Sequence, residues 1–481
     1  MRTQLLKSGL IYTALGFLNP ISRLFIFPVF VNLLQQDDYG VISITSTFVA
    51  ILLVVLPFGF DSAFSRLFFE HKGDDLKRFY HSVVVYVTVF AGALIVLLEL
   101  VGPWLFGVLL TTDKVSFGVY GRLAYATALG SLFTSIHQLH ARNQLKPVRF
   151  AAVSLSQFTV STGFELIAVL YLKEGAFGVL LARCLGICMV SLVLTVPVWW
   201  QSVKTASFRF FRPVFLYGAP MFIYNILTFV YFQYDRIQIE NYLDLASVAI
   251  YSVAFTLAHS SEIFLMAMVG AILPNVYRLL GEANRDMGRI SRLLRGMGYA
   301  ELGFVAVLFL ALPVFIQLFT PPEYSLALPI GTILVTGFLF RYMYIVYTVP
   351  IFYQRDQVRR TVWLNVVCGV VVVVANVLLL PRIGLWGAPI SMILSRAAQL
   401  GAALLLYRSV SRRANLPIQL GRLPIWYLVL GVYAVGLVLI QVLTGGTYLW
   451  AYGVPLVAAV SVLAYLAARS QWQLSKVVER I

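Results

Sequence analysis

The chain is poor in charge. Only 12% of its 481 residues are Asp, Glu, Lys or Arg, whereas soluble globular proteins carry about 25%. Hydrophobic residues make up 60% of the chain, and its mean hydropathy is +0.86. A water-soluble core has no room for so much apolar surface, which excludes a soluble enzyme. An aromatic content of 14% also excludes a disordered chain, because disordered chains are poor in aromatics.

Cysteines and catalytic motifs are scarce as well. The three cysteines, Cys184, Cys188 and Cys368, all lie in apolar runs. Cys184 and Cys188 are four residues apart on one predicted helix and can touch, but no third or fourth ligand is near, so we predict helix packing and no metal site. The sequence has no P-loop, GxSxG or HExxH motif. We therefore predict no catalytic residues, no cofactor and no enzyme activity.

Long apolar segments take up most of the chain. A helix that crosses the bilayer needs roughly 20 apolar residues, and none of the segments alternates in the way a barrel strand does. The prediction is an all-α integral membrane protein with about 14 transmembrane helices. The spans are placed at residues 9–34, 40–65, 79–102, 117–140, 148–172, 175–199, 213–238, 245–275, 297–320, 326–352, 361–381, 384–407, 424–443 and 448–468.

Basic residues outside the spans indicate the orientation. With the N-terminus in the cytoplasm, 27 Lys and Arg fall in cytoplasmic segments, and only Lys114, Lys173 and Arg382 fall on the opposite side. This asymmetry follows the positive-inside rule and predicts that both termini are cytoplasmic. The formal charge of +16 is then a topology signal and an attraction to anionic membrane lipids. It does not indicate nucleic-acid binding.

Three weak internal matches recur at nearly one spacing. Asp38–Ser43 resembles Ala246–Tyr251, Lys173–Ala182 resembles Arg382–Ser391, and Arg142–Gln144 resembles Arg355–Gln357. Six spans return the chain to the cytoplasm, so both halves begin on the same side and form parallel repeats. The predicted units are a six-helix lobe at 1–205, a second six-helix lobe at 206–415, and helices 13 and 14 with a short cytoplasmic tail at 416–481.

Six basic and six acidic residues fall inside the predicted spans, with Arg149 at the start of the fifth span counted among the cytoplasmic residues. Each ionised side chain costs on the order of 2.5–3.5 kcal/mol at the bilayer centre, so such residues pair with each other or face a hydrated cavity. Arg23, Glu262, Arg341 and Arg396 lie nearest the midplane. A hydrated cavity suits these arginines, because a guanidinium makes forked contacts with phosphate oxygens. Structural salt bridges between helices are the alternative.

Three further charged residues lie close to the ends of their predicted spans, from which a side chain can reach water. They are Arg122, Glu99 and Glu301. Long charged side chains near a helix end often extend towards the membrane surface in this way. We therefore assign no function to them.

Several motifs resemble a known family. They are Asn19-Pro20-Ile21-Ser22-Arg23 in the first span, Asp38-Tyr39-Gly40 after it, Gly59 to Arg66 at the end of the second span and Pro274 to Arg278 at the end of the eighth. These sequences are similar to those of the Wzx flippases, bacterial polysaccharide exporters of the multidrug/oligosaccharidyl-lipid/polysaccharide (MOP) superfamily. The resemblance covers about residues 1–410.

This resemblance implies a secondary transporter that moves an undecaprenyl-pyrophosphate-linked oligosaccharide across the bacterial cytoplasmic (inner) membrane by alternating access. The products would be polysaccharides such as O-antigen, lipopolysaccharide or exopolysaccharide, and polysaccharide polymerase or assembly proteins would be partners. Arginines would bind the pyrophosphate and sugar, and acids would couple transport to H⁺, Na⁺ or the membrane potential. The arginine candidates are Arg23, Arg183, Arg236, Arg341 and Arg396, and the coupling candidates are Asp61, Glu165, Asp235 and Glu262.

Other functions stay open from the sequence. Fourteen spans rather than twelve are similar to the MurJ-type lipid II flippases, in which the last two helices hold the lipid tail. A small-molecule or cation antiporter of the same superfamily is expected to use acidic rather than arginine-rich midplane sites. A membrane polysaccharide polymerase needs a large extracytoplasmic loop, and the predicted outer loops here are all short.

Overall fold

The computed structural model describes residues 26–281, 286–353, 358–414 and 417–444. Within these residues the regular structure is helical and contains no strand, which confirms the predicted all-α fold. The helices are α1 (26–33), α2 (Gln36–Val55), α3 (Phe60–Leu67), α4 (Gly73–Leu109), α5 (Arg122–Asn143), α6 (Pro147–Ile167), α7 (Gly175–Thr205), α8 (Phe211–Gln233), α9 (Asp235–Tyr242), α10 (Leu245–Gly281), α11 (Met287–Phe319), α12 (Ala327–Tyr353), α13 (Val358–Ile383), α14 (Gly387–Ala414) and α15 (Leu423–Thr444).

Ten segments of the described residues are long and apolar enough to cross a membrane. One of them, Arg360–Ser411, contains both α13 and α14, so the ten segments provide eleven crossings. Helix α5 matches predicted span 4 but is more polar and is not among the ten. Predicted span 14 and most of span 1 lie outside the described residues. The protein is a multi-pass membrane protein, as predicted.

Helix ends repeat along the chain at the spacing of the predicted duplication. Helices α4 and α11 end at Leu109 and Phe319, and α7 and α14 end at Thr205 and Ala414, so the two separations differ by a single position. The starts of α2 and α10 have the same separation as the ends of α7 and α14. These separations support an arrangement in which α2–α7 and α10–α14 are two copies of one helical pattern.

Two residues separated by the spacing of the predicted duplication meet at one point. Ser43 on α2 and Ser252 on α10 are 209 residues apart, and their hydroxyls are hydrogen-bonded to each other. The helices approach closely at Gly40, where a Cβ atom would lie 2.2 Å from the carbonyl oxygen of Leu245. The first turns of α10 therefore pack directly against α2, the helix to which the predicted duplication matches α10.

The described residues form two compact units. The first extends to Ser252 and includes Gly369–Ala388, and the second comprises Val253–Cys368 and the described residues from Pro389 onward. These bounds differ from 1–205 and 206–415 because α8 and α9 belong to the first unit. The lobes and the segment 416–481, which the duplication defines, stay a prediction.

An aromatic core holds part of the first unit together. Phe64 stacks on Phe79 with 5.7 Å between ring centroids, and Phe79 contacts Phe210 edge-on at 5.4 Å. These rings are buried and belong to one cluster with side chains of α3, α4 and α5. Burial of such large rings accounts for much of the packing energy of a helical bundle. In the same unit, the Sγ atoms of Cys184 and Cys188 lie 4.0 Å apart, so their predicted contact is confirmed.

Helix α12 is the most enclosed span of the second unit. In its segment, Pro322–Tyr353, 78% of the most apolar stretch is buried, whereas the other spans reach at most 44%. A helix that is apolar on all sides is expected in such a central position. Arg341 lies on this helix, and only 15% of its side chain is exposed.

Candidate functional site

Three of the predicted site residues meet inside the second unit. The Glu262 carboxylate on α10 forms ion pairs with Arg341 on α12, at 3.2 Å from Nε to Oε1, and with Arg396 on α14, at 3.7 Å from Nη2 to Oε2. Glu262 and Arg396 are buried, and the Arg341 side chain is 15% exposed. The charges of these three ionised groups sum to +1. We call Glu262, Arg341 and Arg396 the arginine cluster.

Aromatic rings flank both guanidinium groups. The Arg341 guanidinium carbon lies 5.1 Å from the ring centroid of Tyr344, and that of Arg396 lies 5.9 Å from the centroid of Phe338. Contacts of this kind contribute about 0.5–2 kcal/mol and offset part of the cost of burying a cation. Phe338, Arg341 and Tyr344 follow one another at intervals of three residues on α12, which places them on one helix face.

Buried amides continue the polar surface beside the cluster. Gln399 follows Arg396 by less than one turn of α14, and its Nε2 donates to Oδ1 of Asn365 on α13 at 3.0 Å. Both side chains are buried. Their hydrogen bond fixes α13 against α14 in the interior of the second unit. The arginine cluster is therefore supported by α10, α12 and α14, with α13 packed next to it.

Glu301 on α11 belongs to the same region, although sequence reasoning assigned it no function. Its relative exposure is 0%, and neither carboxylate oxygen has a hydrogen-bond partner among the described residues. It is close enough to Glu262 for the two carboxyl groups to interact electrostatically. The expectation that its side chain reaches water is wrong, because α11 begins ten residues before the predicted span and places Glu301 deep inside the helix.

Two other predicted pairs lie in the first unit. Arg183 donates to both carboxylate oxygens of Glu165, at 2.9 and 3.1 Å, and to the Ser46 hydroxyl at 3.0 Å. Nη1 of Arg236 lies 3.1 Å from Oδ1 of the neighbouring Asp235. The Tyr251 hydroxyl donates to the same carboxylate. Buried pairs of this geometry fit structural salt bridges, the alternative stated from the sequence. The roles of these four residues in substrate binding and coupling stay predictions.

Asp61 lines an open cleft in the first unit. Gly59, at φ +74°, precedes α3 and lets the chain turn sharply between α2 and α3. One Asp61 oxygen, Oδ1, is buried without a hydrogen-bond partner among the described residues. The cleft has a volume of about 410 Å³ and is lined by Asp61, Ser62, Ser65, Arg66, Leu139, Arg142 and Tyr217. Arg23, the remaining predicted site residue, lies outside the described residues.

Sequence relatives connect the chain to polysaccharide synthesis. The sequence profile of a family described as polysaccharide biosynthesis protein matches residues 5–280. Protein 1 of the Lsg locus of Haemophilus influenzae is 23% identical over 290 residues, which are 57% of this chain and 66% of that protein. The chain thus spans just under two thirds of the length of this curated relative.

Solved structures of membrane transporters share the fold. The lipid II flippase MurJ in an inward closed conformation has a TM-score of 0.65 at 14% identity, covering 95% of this chain and 98% of MurJ. An inward-facing multidrug MATE transporter of the MOP superfamily has a TM-score of 0.59 at 12% identity, covering 82% and 97%. The bent form of the Vibrio cholerae MATE transporter VcmN has a TM-score of 0.56 at 15% identity, covering 87% and 98%.

At these identities the structural likeness shows the fold alone, and that fold is the one expected from the MOP resemblance. Family membership rests on the sequence profile, because its match extends over more than half of the chain. The motifs in spans 1, 2 and 8 that resemble the Wzx flippases all lie within the matched residues 5–280. The chain therefore belongs to the polysaccharide biosynthesis protein family and has the fold of the MOP transporters.

Proposed function

We propose that the protein is a flippase for an undecaprenyl-pyrophosphate-linked oligosaccharide. It moves this lipid from the cytoplasmic to the outer leaflet of the bacterial cytoplasmic membrane by alternating access, with both of its own termini in the cytoplasm. The proposal is supported chiefly by the arginine cluster, in which two guanidinium groups face one carboxylate. With one carboxylate between two guanidinium groups, the cluster keeps a net charge of +1.

A pyrophosphate group matches this net positive charge. Its oxygens accept forked hydrogen bonds from guanidinium groups, and Arg makes such contacts in low-dielectric surroundings better than Lys does. The group must leave water to cross the bilayer, and fixed cations inside the protein replace part of its hydration. An apolar drug-like substrate offers no anionic oxygens to two buried guanidinium groups. We therefore favour a phosphorylated substrate over a small-molecule antiport substrate.

Anion binding at this place also has a consequence for Glu262. An arriving pyrophosphate competes with Glu262 for the same guanidinium groups, at the positions now 3.2 and 3.7 Å from its oxygens. A carboxylate that loses two cationic partners inside the bilayer is expensive to keep ionised. It then takes up a proton or a cation, which links substrate binding to H⁺ or Na⁺. Glu262 is therefore our first candidate for coupling, and Asp61 in the cleft of the first unit is the second.

The polyprenyl tail needs an apolar surface. Helix α15 carries a stripe of exposed apolar side chains at spacings of three and four residues, formed by Ile425, Leu428, Val432, Val435 and Leu439. A stripe of this kind can lie against a lipid tail while the polar headgroup moves inside the protein. The stripe suits binding of the lipid tail, which the resemblance to MurJ-type flippases implies for the last two helices. The same apolar side chains also suit ordinary contact with membrane lipids.

Export of glycan in cells tests the proposal. In a strain that lacks the chromosomal copy, Arg341→Ala and Arg396→Ala are each expected to abolish surface glycan while the protein stays in the membrane. Arg→Lys at either position is expected to restore only part of the export, since the fork geometry is lost. The matched control is Arg122→Ala, which removes a guanidinium from a half-exposed pair with Glu99 and should leave export unchanged.

Transport by the purified protein in liposomes separates the competing functions. The lipid-linked oligosaccharide, lipid II and a cationic drug are offered in parallel assays. Transport of lipid II in preference to the oligosaccharide would assign a MurJ-like function, and drug efflux would assign an antiporter. Normal surface glycan in both Arg→Ala variants would refute the role of the arginine cluster.

A further inference from the structure

We propose that Glu301 is a proton-binding site that controls the anion affinity of the arginine cluster. The proposal rests on the proposed function, because it takes the cluster as the place where the pyrophosphate binds. It adds a residue that lies on a different helix from every member of the cluster. It also places the uptake of one proton at a defined residue of the second unit.

Burial and missing hydrogen bonds indicate that Glu301 holds a proton. Its relative exposure is 0%, and both of its oxygens lack a hydrogen-bond partner among the described residues. An ionised carboxylate in such surroundings is cut off from bulk solvent and has no donor among the described residues to replace its hydration, and the cost is large enough that the group neutralises instead. The neutral acid is the form that this position tolerates.

Nearby hydroxyl groups do not relieve this cost. The Tyr342 hydroxyl donates to the carbonyl oxygen of Leu294 at 2.7 Å, and the Tyr427 hydroxyl donates to that of Gly298 at 3.1 Å. Each hydroxyl has a single hydrogen to donate, so neither is available to a Glu301 carboxylate. The two tyrosine rings stack with 5.1 Å between their centroids, which fixes both hydroxyls in place.

The electrostatic surroundings make the charge of Glu301 matter to the cluster. The charged and titratable groups that act on it or on its neighbour Glu262 come from five helices: Glu262 on α10, Arg341 and Tyr342 on α12, the neutral thiol of Cys368 on α13, Arg396 on α14 and Tyr427 on α15. Glu262 repels a second negative charge at Glu301. With a proton on Glu301, the charges of these groups sum to +1, and without it they sum to zero.

Proton binding and anion binding are therefore linked. A pyrophosphate meets a net positive site when Glu301 is protonated and a neutral site when it is not, so the protonated form binds the anion more tightly. Thermodynamic linkage is reciprocal, which means that pyrophosphate also makes Glu301 hold its proton more firmly. Couplings between two sites in one protein usually change affinity by about 5- to 150-fold.

Binding of inorganic pyrophosphate to the full-length protein in lipid nanodiscs tests this linkage. We expect the affinity measured by calorimetry to fall about tenfold from mildly acidic to mildly alkaline pH. Glu301→Gln, which imitates the protonated acid, should lose most of this fall, and the pH dependence that remains belongs to Glu262 and to the ligand. Glu99→Gln removes a partly exposed carboxylate paired with Arg122 and should keep the pH dependence of the parent.

Infrared spectroscopy detects the proton itself and needs no ligand. The unmodified protein at neutral pH should show a carbonyl stretch of a protonated carboxylic acid, and Glu301→Gln should lose intensity in that band. The proposal is overturned if this loss is not seen, or if Glu301→Gln retains the pH dependence of the parent. Absence of pyrophosphate binding at every pH would instead overturn the proposed function, with the infrared band still deciding whether Glu301 carries a proton.

Discussion

Replacement of Glu262 by Gln should destabilise the protein more than replacement of either arginine that it binds. The carboxylate oxygens lie 3.2 Å from Arg341 and 3.7 Å from Arg396, and at an effective dielectric constant of about 20 these distances correspond to about 5 and about 4.5 kcal/mol of attraction. Most of this attraction offsets desolvation. Removal of one partner of a buried pair still costs about 3–5 kcal/mol, because the other charge stays buried.

The three single variants differ in what they leave behind. Glu262→Gln leaves two like-charged guanidinium groups around a neutral amide. Arg396→Gln leaves Arg341 and Glu262 as a balanced pair, and Arg341→Gln leaves Arg396 and Glu262. We therefore expect Glu262→Gln to cost about 3–5 kcal/mol and each Arg→Gln variant to cost less. The double variant Glu262→Gln/Arg396→Gln should cost less than the sum of its parts, because the two changes share one interaction.

Unfolding of the purified protein in detergent, followed by tryptophan fluorescence, measures this order. Glu165→Gln is the matched control, since it leaves a single guanidinium, Arg183, which keeps its hydrogen bond to Ser46. Inorganic pyrophosphate should stabilise Glu262→Gln more than the parent, because the anion no longer competes with a carboxylate. At 100 times its dissociation constant a ligand adds about 2.7 kcal/mol. Equal destabilisation by Glu262→Gln and Arg396→Gln would refute this account of the cluster.

Two further predictions concern coupling and the turn before α3. In proteoliposomes, Asp61→Asn or Glu262→Gln should remove the dependence of transport on a pH or sodium gradient, since a neutral amide cannot exchange a proton and has no negative charge to attract a cation. If both variants respond as the parent does, neither residue is the coupler. Gly59→Ala should lower the unfolding temperature for two reasons. The φ angle of Gly59 is +74°, and this left-handed conformation alone costs a residue with a Cβ atom about 1–2 kcal/mol. The new Cβ atom would also lie 2.2 Å from the carbonyl oxygen of Gly218. Gly92→Ala, with no atom within 4 Å of its Cβ position, is the control and should be neutral or stabilising.

The spans could be predicted from the sequence because they depend on local features. A segment crosses the bilayer when its own residues are apolar over a sufficient length, whatever the rest of the chain does. The spacing of the predicted duplication is also visible in the sequence alone, in its internal matches. The helix ends at Leu109 and Phe319 have a similar separation. Even the face shared by Phe338, Arg341 and Tyr344 follows from helical spacing on α12.

Only the tertiary structure decided which charges meet. Position in the predicted spans puts Arg341 and Arg396 at about the depth of Glu262, but it cannot show that they touch it, because partners on α12 and α14 depend on which helices pack side by side. The position of Glu301 was missed for a related reason. An apolar window begins where hydropathy rises, whereas α11 begins ten residues earlier and continues through a stretch containing several arginines. Hydropathy is a property of single segments, but the burial of a carboxyl group and its interaction with a second one depend on packing between segments distant in the chain.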